Sequence, residues 1–164
     1  MMKLPPARKC LGALGTALIL IGLGGLMLIY QYDHRQAASL SAYARIDFQS
    51  SYTEKGQLEG AILTLWDSRY DHAKLLPRAV LYTDGDAWEM KADVKQTPPG
   101  EADTGSRFQT ENKLFVELPK ASLKAIRNAD EVRLRYYYDN GQTIDLPLDA
   151  HDLEYFKEQL SKGR

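Results

Sequence analysis

The sequence is poor in cysteine and histidine, and both shortages narrow what the chain can be. Cys10 is its one cysteine, so the remainder of the 164 residues forms no internal disulfide and must be held together by packing. None of the three histidines stands at a spacing from another that is typical of metal ligands. Phosphate-binding glycine loops and nucleophile-elbow motifs are missing as well. We therefore expect no metal, no cofactor and no catalytic site.

The chain also lacks a surplus of basic residues. It carries 21 Lys and Arg against 22 Asp and Glu, which gives a net charge of −1. Three of the basic residues, Lys3, Arg8 and Lys9, precede position 30, and no acid does. The rest of the chain therefore holds 18 basic and 22 acidic residues, a net charge of −4. Nucleic acids are bound by basic faces, so we expect no nucleic-acid partner.

What the sequence does contain is one long uncharged stretch, residues 11–30, whose polar side chains are those of Thr16 and Tyr30. A helix rises about 1.5 Å per residue, so a stretch of this length covers the roughly 30 Å hydrocarbon core of a bilayer. A helix also satisfies its own backbone hydrogen bonds, which lipid cannot do. The stretch predicts a single transmembrane helix.

Basic residues predict the orientation of this helix. Lys3, Arg8 and Lys9 precede it in a short tail, whereas Arg35 and Arg45 follow it with acids nearby. The positive-inside tendency places the N-terminus in the cytoplasm and the C-terminal domain in the periplasm or outside, which suits a bacterial inner-membrane protein. The predicted segments are a cytoplasmic tail over residues 1–10, the transmembrane helix over 11–30, a stalk over 31–43 and a β-rich domain over 44–164.

Two features of the apolar stretch allow more than one interpretation. A cleaved signal peptide has a shorter apolar core, and cleavage near Ala38 would put Gln36 where a small side chain is needed, so we favour an uncleaved anchor. Gly15, Gly22 and Gly25 lie close to one helix face, which favours association with itself or with a larger membrane complex. Glycine is also common in membrane helices, and that explanation fits the same residues equally well.

After the stalk, alternation of apolar and polar residues is the main signal for structure. It predicts strands over residues 43–51 and 60–66, the second apolar on both faces and therefore central. Residues 67–77 are predicted to be irregular and closed by a proline. Residues 95–106 are predicted to form a mobile surface loop, because they are rich in proline and glycine. A further strand is expected over residues 114–118.

The dipeptide Asp84-Gly85 lies between two apolar runs, which predicts a β-hairpin. A two-residue turn would pair Leu81 with Trp88, whereas a three-residue loop would pair Val80 with Trp88. Both registers bury the tryptophan, and the sequence does not choose between them.

A second hairpin, over residues 131–148, has a register that the sequence does decide. A two-residue turn would set Tyr136 opposite Asp145 and divide the apolar side chains between both faces. A three-residue loop with Gly141 in the left-handed conformation sets Tyr136 opposite Ile144 and gathers the apolar side chains on one face. Burial therefore selects the three-residue loop.

Two helices complete the predicted domain. Ser122 is expected to cap a short helix that ends at Asn128 and buries Leu123 and Ile126. Asp149 is expected to cap a final amphipathic helix that packs on the sheet. Its apolar stripe consists of Leu153, Phe156 and Leu160. The predicted fold is a mainly antiparallel β domain, sandwich-like and formally α+β, with this amphipathic helix at its C-terminal end.

The candidate site is a strip on the second hairpin. If Tyr136 and Tyr138 are buried, Tyr137 faces outward near Arg133 and Arg135. Exposed tyrosine and arginine are the composition of binding hot spots, so we predict that this strip binds a protein. The same composition also suits the solvent face of a sheet, where it would have a packing role alone.

Two acidic groups are the alternatives for chemistry. Asp67, Asp71 and His72 could supply an acid–base pair or metal ligands, although a solvated loop is the expected setting. Asp84-Gly85-Asp86 loosely resembles a calcium loop, but the twelve-residue ligand pattern is missing, and a tight turn explains these residues.

These observations predict a non-enzymatic, single-pass membrane protein whose extracytoplasmic domain binds a protein partner. The expected roles are a small subunit, an adaptor or an immunity-type inhibitor of an envelope complex, and the bilayer itself is the second partner. Self-association through the transmembrane helix is also expected. The alternatives are a membrane-tethered small-molecule-binding domain and, less favoured, a hydrolase that uses Asp71 and His72.

Overall fold

A computed structural model describes residues 37–101 and 109–162. Seven strands dominate this part of the chain, and three helices accompany them. In chain order the elements are α1 (Leu40–Tyr43), β1 (Arg45–Tyr52), β2 (Leu58–Arg69), β3 (Leu75–Thr83), β4 (Asp86–Thr97), β5 (Thr110–Glu117), α2 (Lys120–Asn128), β6 (Val132–Tyr138), β7 (Thr143–Pro147) and α3 (Ala150–Gln159).

The strands form a single seven-stranded sheet in the order β1-β2-β5-β4-β3-β6-β7. Every neighbouring pair is antiparallel. The prediction of a mainly antiparallel β domain is therefore confirmed. The expectation that β2 is central is confirmed as well, since β1 lies on one side of it and β5 on the other.

The sheet is curled, and β4 is where it turns. Residues 86–91 of β4 pair with β3, whereas residues 92–97 pair with β5. The curl brings the inner face of β6 to the inner face of β2, although three strands separate them in the sheet. The hydroxyl group of Tyr138 on β6 accordingly donates a hydrogen bond to the carboxylate of Asp67 on β2.

The inner face of the curled sheet and the helices that pack on it form the hydrophobic core. Phe48 of β1 stacks on Phe156 of α3 with ring centroids 4.0 Å apart. The expected apolar stripe of the last helix is buried, and so are the two apolar side chains expected of α2. These five residues are Leu123, Ile126, Leu153, Phe156 and Leu160.

Three boundaries differ from those predicted. The segment predicted to be irregular over residues 67–77 is irregular only over 70–74, because β2 continues to Arg69 and β3 begins at Leu75. Pro77 lies inside β3, where the β3–β6 register shifts between Leu75 and Ala79, as a residue without an N–H group requires. The predicted loop over residues 95–106 begins too early, because β4 extends to Thr97 and pairs with β5.

The second hairpin has the predicted register. Tyr136 lies opposite Ile144, and Gly141 has a left-handed φ of 85°. The amide of Tyr138 donates a hydrogen bond of 2.9 Å to the carbonyl of Gln142, which closes the three-residue loop. The requirement that the apolar side chains share one face of the hairpin therefore predicted the register correctly.

In the first hairpin the turn has two residues, and Leu81 pairs with Trp88. Asp84 takes up the turn with a φ of 43°. Trp88 is half-buried, and its indole N–H donates a 3.2 Å hydrogen bond to the hydroxyl of Thr83.

Of the two predicted N-terminal helix caps, one is confirmed and the other is wrong. The carboxylate of Asp149 accepts a 2.8 Å hydrogen bond from the amide of Asp152 and caps α3 as expected. Ser122, by contrast, does not cap α2, which begins at Lys120. Its hydroxyl donates instead to the carbonyl of Pro119 at 2.8 Å, so it stabilises the first turn from within.

The residues before β1 also belong to the folded domain. Residues 40–43, assigned to the stalk by sequence, form α1, and Leu40 and Tyr43 are buried in the core. Among residues 37–101 and 109–162, no helix is long and apolar enough to cross a bilayer. The predicted transmembrane helix and the glycines Gly15, Gly22 and Gly25 lie outside the described residues.

Candidate functional site

The predicted strip lies on the outer face of β6, beside β3. Val132, Leu134, Tyr136 and Tyr138 point inward and are buried, so the residues between them point outward. The cross-strand neighbours of β6 on this face come from β3 on one side and β7 on the other. Tyr82 lies opposite Arg133 and Val80 lies opposite Arg135. We call the outward set Arg78, Tyr82, Arg133, Arg135 and Tyr137 the arginine–tyrosine face.

Cation–π contacts connect the members of this face. The guanidinium carbon of Arg78 lies 4.2 Å from the ring centroid of Tyr137. The guanidinium carbons of Arg135 and Arg133 lie 5.0 and 5.9 Å from the ring centroid of Tyr82. Such contacts stabilise exposed pairs by about 0.5–1 kcal/mol each, so both rings are held in place by cations.

One carboxylate on β7 balances two of the arginines. Arg135 donates two hydrogen bonds to Asp145, the one from Nε at 2.9 Å. This hydrogen-bonded ion pair raises the pKa of Arg135 above its ordinary value. The Nε atom of Arg133 lies 3.7 Å from the other oxygen of Asp145. The side chains of Arg133 and Arg135 remain 44% and 35% exposed, so both can be reached from solvent.

Shallow grooves border the face on two sides. One, of about 220 Å³, lies between Tyr82, Arg133 and the turn that holds Asp84. The other, of about 350 Å³, lies beside Tyr137 and Arg78, along the paired residues 78–80 of β3 and 89–91 of β4. Rings and cations bordered by two grooves offer a surface that an extended peptide or a protein loop can engage.

The structure also contains a buried polar cluster inside the sheet. Asp67 and Arg69 of β2 are 0% and 1% exposed, and their inward neighbour on β6 is Tyr138. The guanidinium carbon of Arg69 lies 4.3 Å from the ring centroid of Tyr138, and its Nη1 atom lies 3.9 Å from the carboxylate of Asp67. The pKa of the Tyr138 hydroxyl is raised far above its usual range. Burial is the largest cause of this rise in pKa, and the neighbouring charge of Asp67 is the second.

The rim of this cluster reaches the surface through Asp71. Arg69 donates hydrogen bonds to both carboxylate oxygens of Asp71, one of them 2.7 Å long, and a third of 2.6 Å to the side chain of Gln142. Burial alone would lower the pKa of Arg69, but the hydrogen bond and charge of Asp71 outweigh it and the pKa rises. The hydrogen bond from Arg69 in turn lowers the pKa of Asp71.

The residues considered for acid–base chemistry each have a different partner and do not form one site. Asp71 is engaged by Arg69 through both oxygens, and its lowered pKa makes it a weak proton acceptor. The Nδ1 atom of His72 lies 2.6 Å from the hydroxyl of Thr110, so its ring faces β5. Asp67 lies inside the domain and not in a solvated loop.

The acidic turn considered for calcium has a structural role. The carboxylate of Asp84 accepts hydrogen bonds of 3.0 Å from the amides of Asp130 and Glu131, which lowers its pKa and ties the β3–β4 turn to the start of β6. Within residues 37–101 and 109–162, no group of three or more His, Cys, Asp or Glu side chains is placed to hold a metal ion.

Comparison with protein families, curated proteins and solved structures finds no significant match to this chain. The interpretation of the arginine–tyrosine face therefore rests on its geometry.

Sequence reasoning found three members of this face and missed two. Arg133, Arg135 and Tyr137 were identified by the alternation of β6. Arg78 and Tyr82 were missed, because their place beside β6 depends on a pairing between strands that lie far apart in the chain. The buried cluster was missed as well. Its one local signal is the alternation of β2, which continues inward from Leu65 through Asp67 to Arg69.

Proposed function

We propose that the chain is a single-pass membrane protein whose curled, sandwich-like domain stands outside the cytoplasm and binds a protein through the arginine–tyrosine face. The observation that supports this proposal most is the row of half-exposed tyrosine rings held between arginines on the outer side of β3 and β6.

The composition and rigidity of the face favour protein binding. Tyrosine and arginine dominate binding hot spots because they combine a large apolar surface with directional hydrogen bonding. On this face Asp145 fixes Arg135, and the cations fix the rings, so these side chains lose less conformational entropy when a partner docks. A sheet surface with a packing role alone does not need a guanidinium group beside each ring, as Arg78 lies beside Tyr137 and Arg133 and Arg135 lie beside Tyr82.

The membrane anchor accounts for how a small face could suffice. The uncharged residues 11–30 would hold the domain at the outer surface of the inner membrane and raise its effective concentration near membrane proteins. The partner would be an envelope complex, which the chain serves as a small subunit, adaptor or immunity-type inhibitor. Gly15, Gly22 and Gly25 would let a second transmembrane helix approach closely.

Affinity purification of the full-length protein in mild detergent tests this proposal. The comparison is between the wild type and the double variant Arg135→Ala/Tyr137→Ala. A matched control, Tyr155→Ala/Lys162→Ala, removes an exposed tyrosine and an exposed cation in and just after α3. We expect a stoichiometric envelope protein with the wild type and the control and its loss with the double variant. Equal recovery with all three proteins would contradict the proposal.

A further inference from the structure

A second cationic row crosses the outer face of the sheet in the other half of the domain. Trp66 of β2 lies opposite Arg45 of β1 on one side and Lys113 of β5 on the other. Lys113 in turn lies opposite Lys95 of β4. Four neighbouring strands thus place three cations and one tryptophan side by side, and we call this set the cationic row.

The contacts within the row keep the cations around the indole ring. The guanidinium carbon of Arg45 lies 4.2 Å from the ring centroid of Trp66, and Nζ of Lys113 lies 5.9 Å from it. Glu111 compensates Lys113 in part, with an oxygen 3.4 Å from its Nζ atom. Lys113 and Lys95 nevertheless face each other directly, and like charges in that position destabilise a sheet. Fold stability therefore does not explain why Lys95 and Lys113 lie opposite each other.

Exposed apolar side chains continue from the row along the same face. Phe115 is 38% exposed and Ile62 is 47% exposed, and both stand on the outer side of β5 and β2. An indole ring, further apolar groups and a line of cations are the composition by which proteins contact the interface of a bilayer. The ring lies among the headgroups, while the cations meet the phosphates.

The row lies at the end of the sheet where the chain enters the domain. Arg45 is the first residue of β1, and α1 precedes it directly. From Tyr30, the last residue of the uncharged stretch, to Ala37, the first described residue, an extended chain covers at most about 25 Å. A domain on so short a tether stays within reach of the bilayer that holds the apolar stretch.

The cationic row and the arginine–tyrosine face occupy opposite sides of the domain. The inner faces of β2 and β6 meet at the hydrogen bond between Asp67 and Tyr138, so the outer faces of these strands point away from each other. A bilayer on the side of β2 would leave the side of β6 free for a protein.

We propose that the cationic row binds the phosphate groups of anionic lipids in the membrane that anchors the chain, with Trp66 at the level of the headgroups. This inference rests on the proposed membrane anchor. It adds that the domain lies on the bilayer with one defined side and presents the arginine–tyrosine face outward.

Tryptophan fluorescence of the full-length protein in vesicles tests the proposal, because the chain has two tryptophans and both lie in the described domain. Trp88→Phe leaves Trp66 as the reporter, and Trp66→Phe leaves Trp88, which points to the inner side. The vesicles contain equal parts of phosphatidylcholine and phosphatidylglycerol, with or without a nitroxide on the phosphatidylcholine headgroup. We expect the nitroxide to quench Trp66 several-fold more strongly than Trp88.

Charge variants test the role of the cations. Lys95→Gln/Lys113→Gln should reduce the quenching of Trp66, and so should vesicles of phosphatidylcholine alone. The control Lys120→Gln/Lys124→Gln removes two exposed cations from α2 and should leave the quenching unchanged.

Four results would overturn the proposal. Flotation measures separately whether the chain is bound to the vesicles. If the chain floats with the vesicles but Trp66 is not quenched, the proposed docking is wrong and the proposed membrane anchor is retained. If the chain does not float with the vesicles, the anchor fails and the docking with it. If the lysine substitutions leave the quenching of Trp66 unchanged, the row does not recognise phosphate. A change in Trp66 emission that follows the number of chains per vesicle, and not the nitroxide, would assign the row to a second copy.

Discussion

The hydroxyl group of Tyr138 donates a hydrogen bond to the carboxylate of Asp67 across the interior of the domain. These residues are 71 positions apart in the chain, and three strands lie between their strands in the sheet. The bond, together with Arg69 stacked on the tyrosine ring, connects two strands of the curled sheet that are not paired with each other. It also sets the two outer faces of the domain back to back.

Tyr138→Phe should destabilise the domain without changing its fold. The substitution removes one buried hydrogen bond to a charged acceptor, and the cost of such a loss is about 1–3 kcal/mol. Urea unfolding followed by circular dichroism measures it. Tyr137→Phe is the matched control, since its side chain lies on the outer face, and it should change the free energy of unfolding by less than about 0.5 kcal/mol. Equal effects of the two substitutions would show that the bond contributes nothing.

Arg69→Met should be more damaging. It leaves the buried Asp67 carboxylate without its neighbouring cation and removes the hydrogen bonds to Asp71 and Gln142. Removing one partner from a buried ion pair costs about 3–5 kcal/mol. Arg69→Lys keeps the charge but not the two-pronged geometry, so its thermal midpoint should fall between those of the wild type and Arg69→Met. A midpoint for Arg69→Met at or above the wild-type value would refute this role.

Acid should weaken the domain in part through Asp71. Its pKa is lower in the folded protein than its ordinary value near 3.8, because Arg69 hydrogen-bonds its ionised form. The stability it contributes is therefore complete above about pH 4 and is lost as the pH falls through the lower, folded-state pKa. Asp71→Asn should lose less stability than the wild type over that interval, as measured by urea unfolding at a series of pH values. Parallel pH profiles for the two proteins would mean that Asp71 is not linked to folding.

Two glycines in hairpin turns should respond differently to alanine. Gly141 has a φ of 85°, which an L-residue adopts at a cost of about 1 kcal/mol, although a Cβ atom would meet open space there. Gly85 has open space and no left-handed φ, so Gly85→Ala should be nearly neutral. Comparing the thermal midpoints of the two variants checks the three-residue loop, since that loop is what requires the left-handed residue.

The features that the sequence could predict depend on residues that lie close together in the chain. The register of the second hairpin followed from parity, because Tyr136 and Ile144 reach the same face only across a three-residue loop. The cap at Asp149 and the stripe that includes Phe156 followed from spacings within one helix. The outward position of Tyr137 followed in the same way from its buried neighbours.

The features that the sequence did not predict depend on distant pairings. Asp67 and Arg69 have the polarity of a loop, and their burial makes sense only with Tyr138 supplied by β6. Lys95 and Gln96 have the same polarity and are strand because β5 pairs with them. The predicted strip around Tyr137 lacked Arg78 and Tyr82 for the same reason.

We predict that the arginine–tyrosine face contacts an envelope protein in the cell. The most direct test is photo-crosslinking in living cells, with a photoreactive amino acid at position 137 or, as a control, at position 155 on the exposed side of α3. We expect a single defined adduct with an envelope protein from position 137, lost when Arg135→Ala is added, and no such adduct from position 155. No adduct from position 137, or the same adducts from both positions, would contradict the prediction.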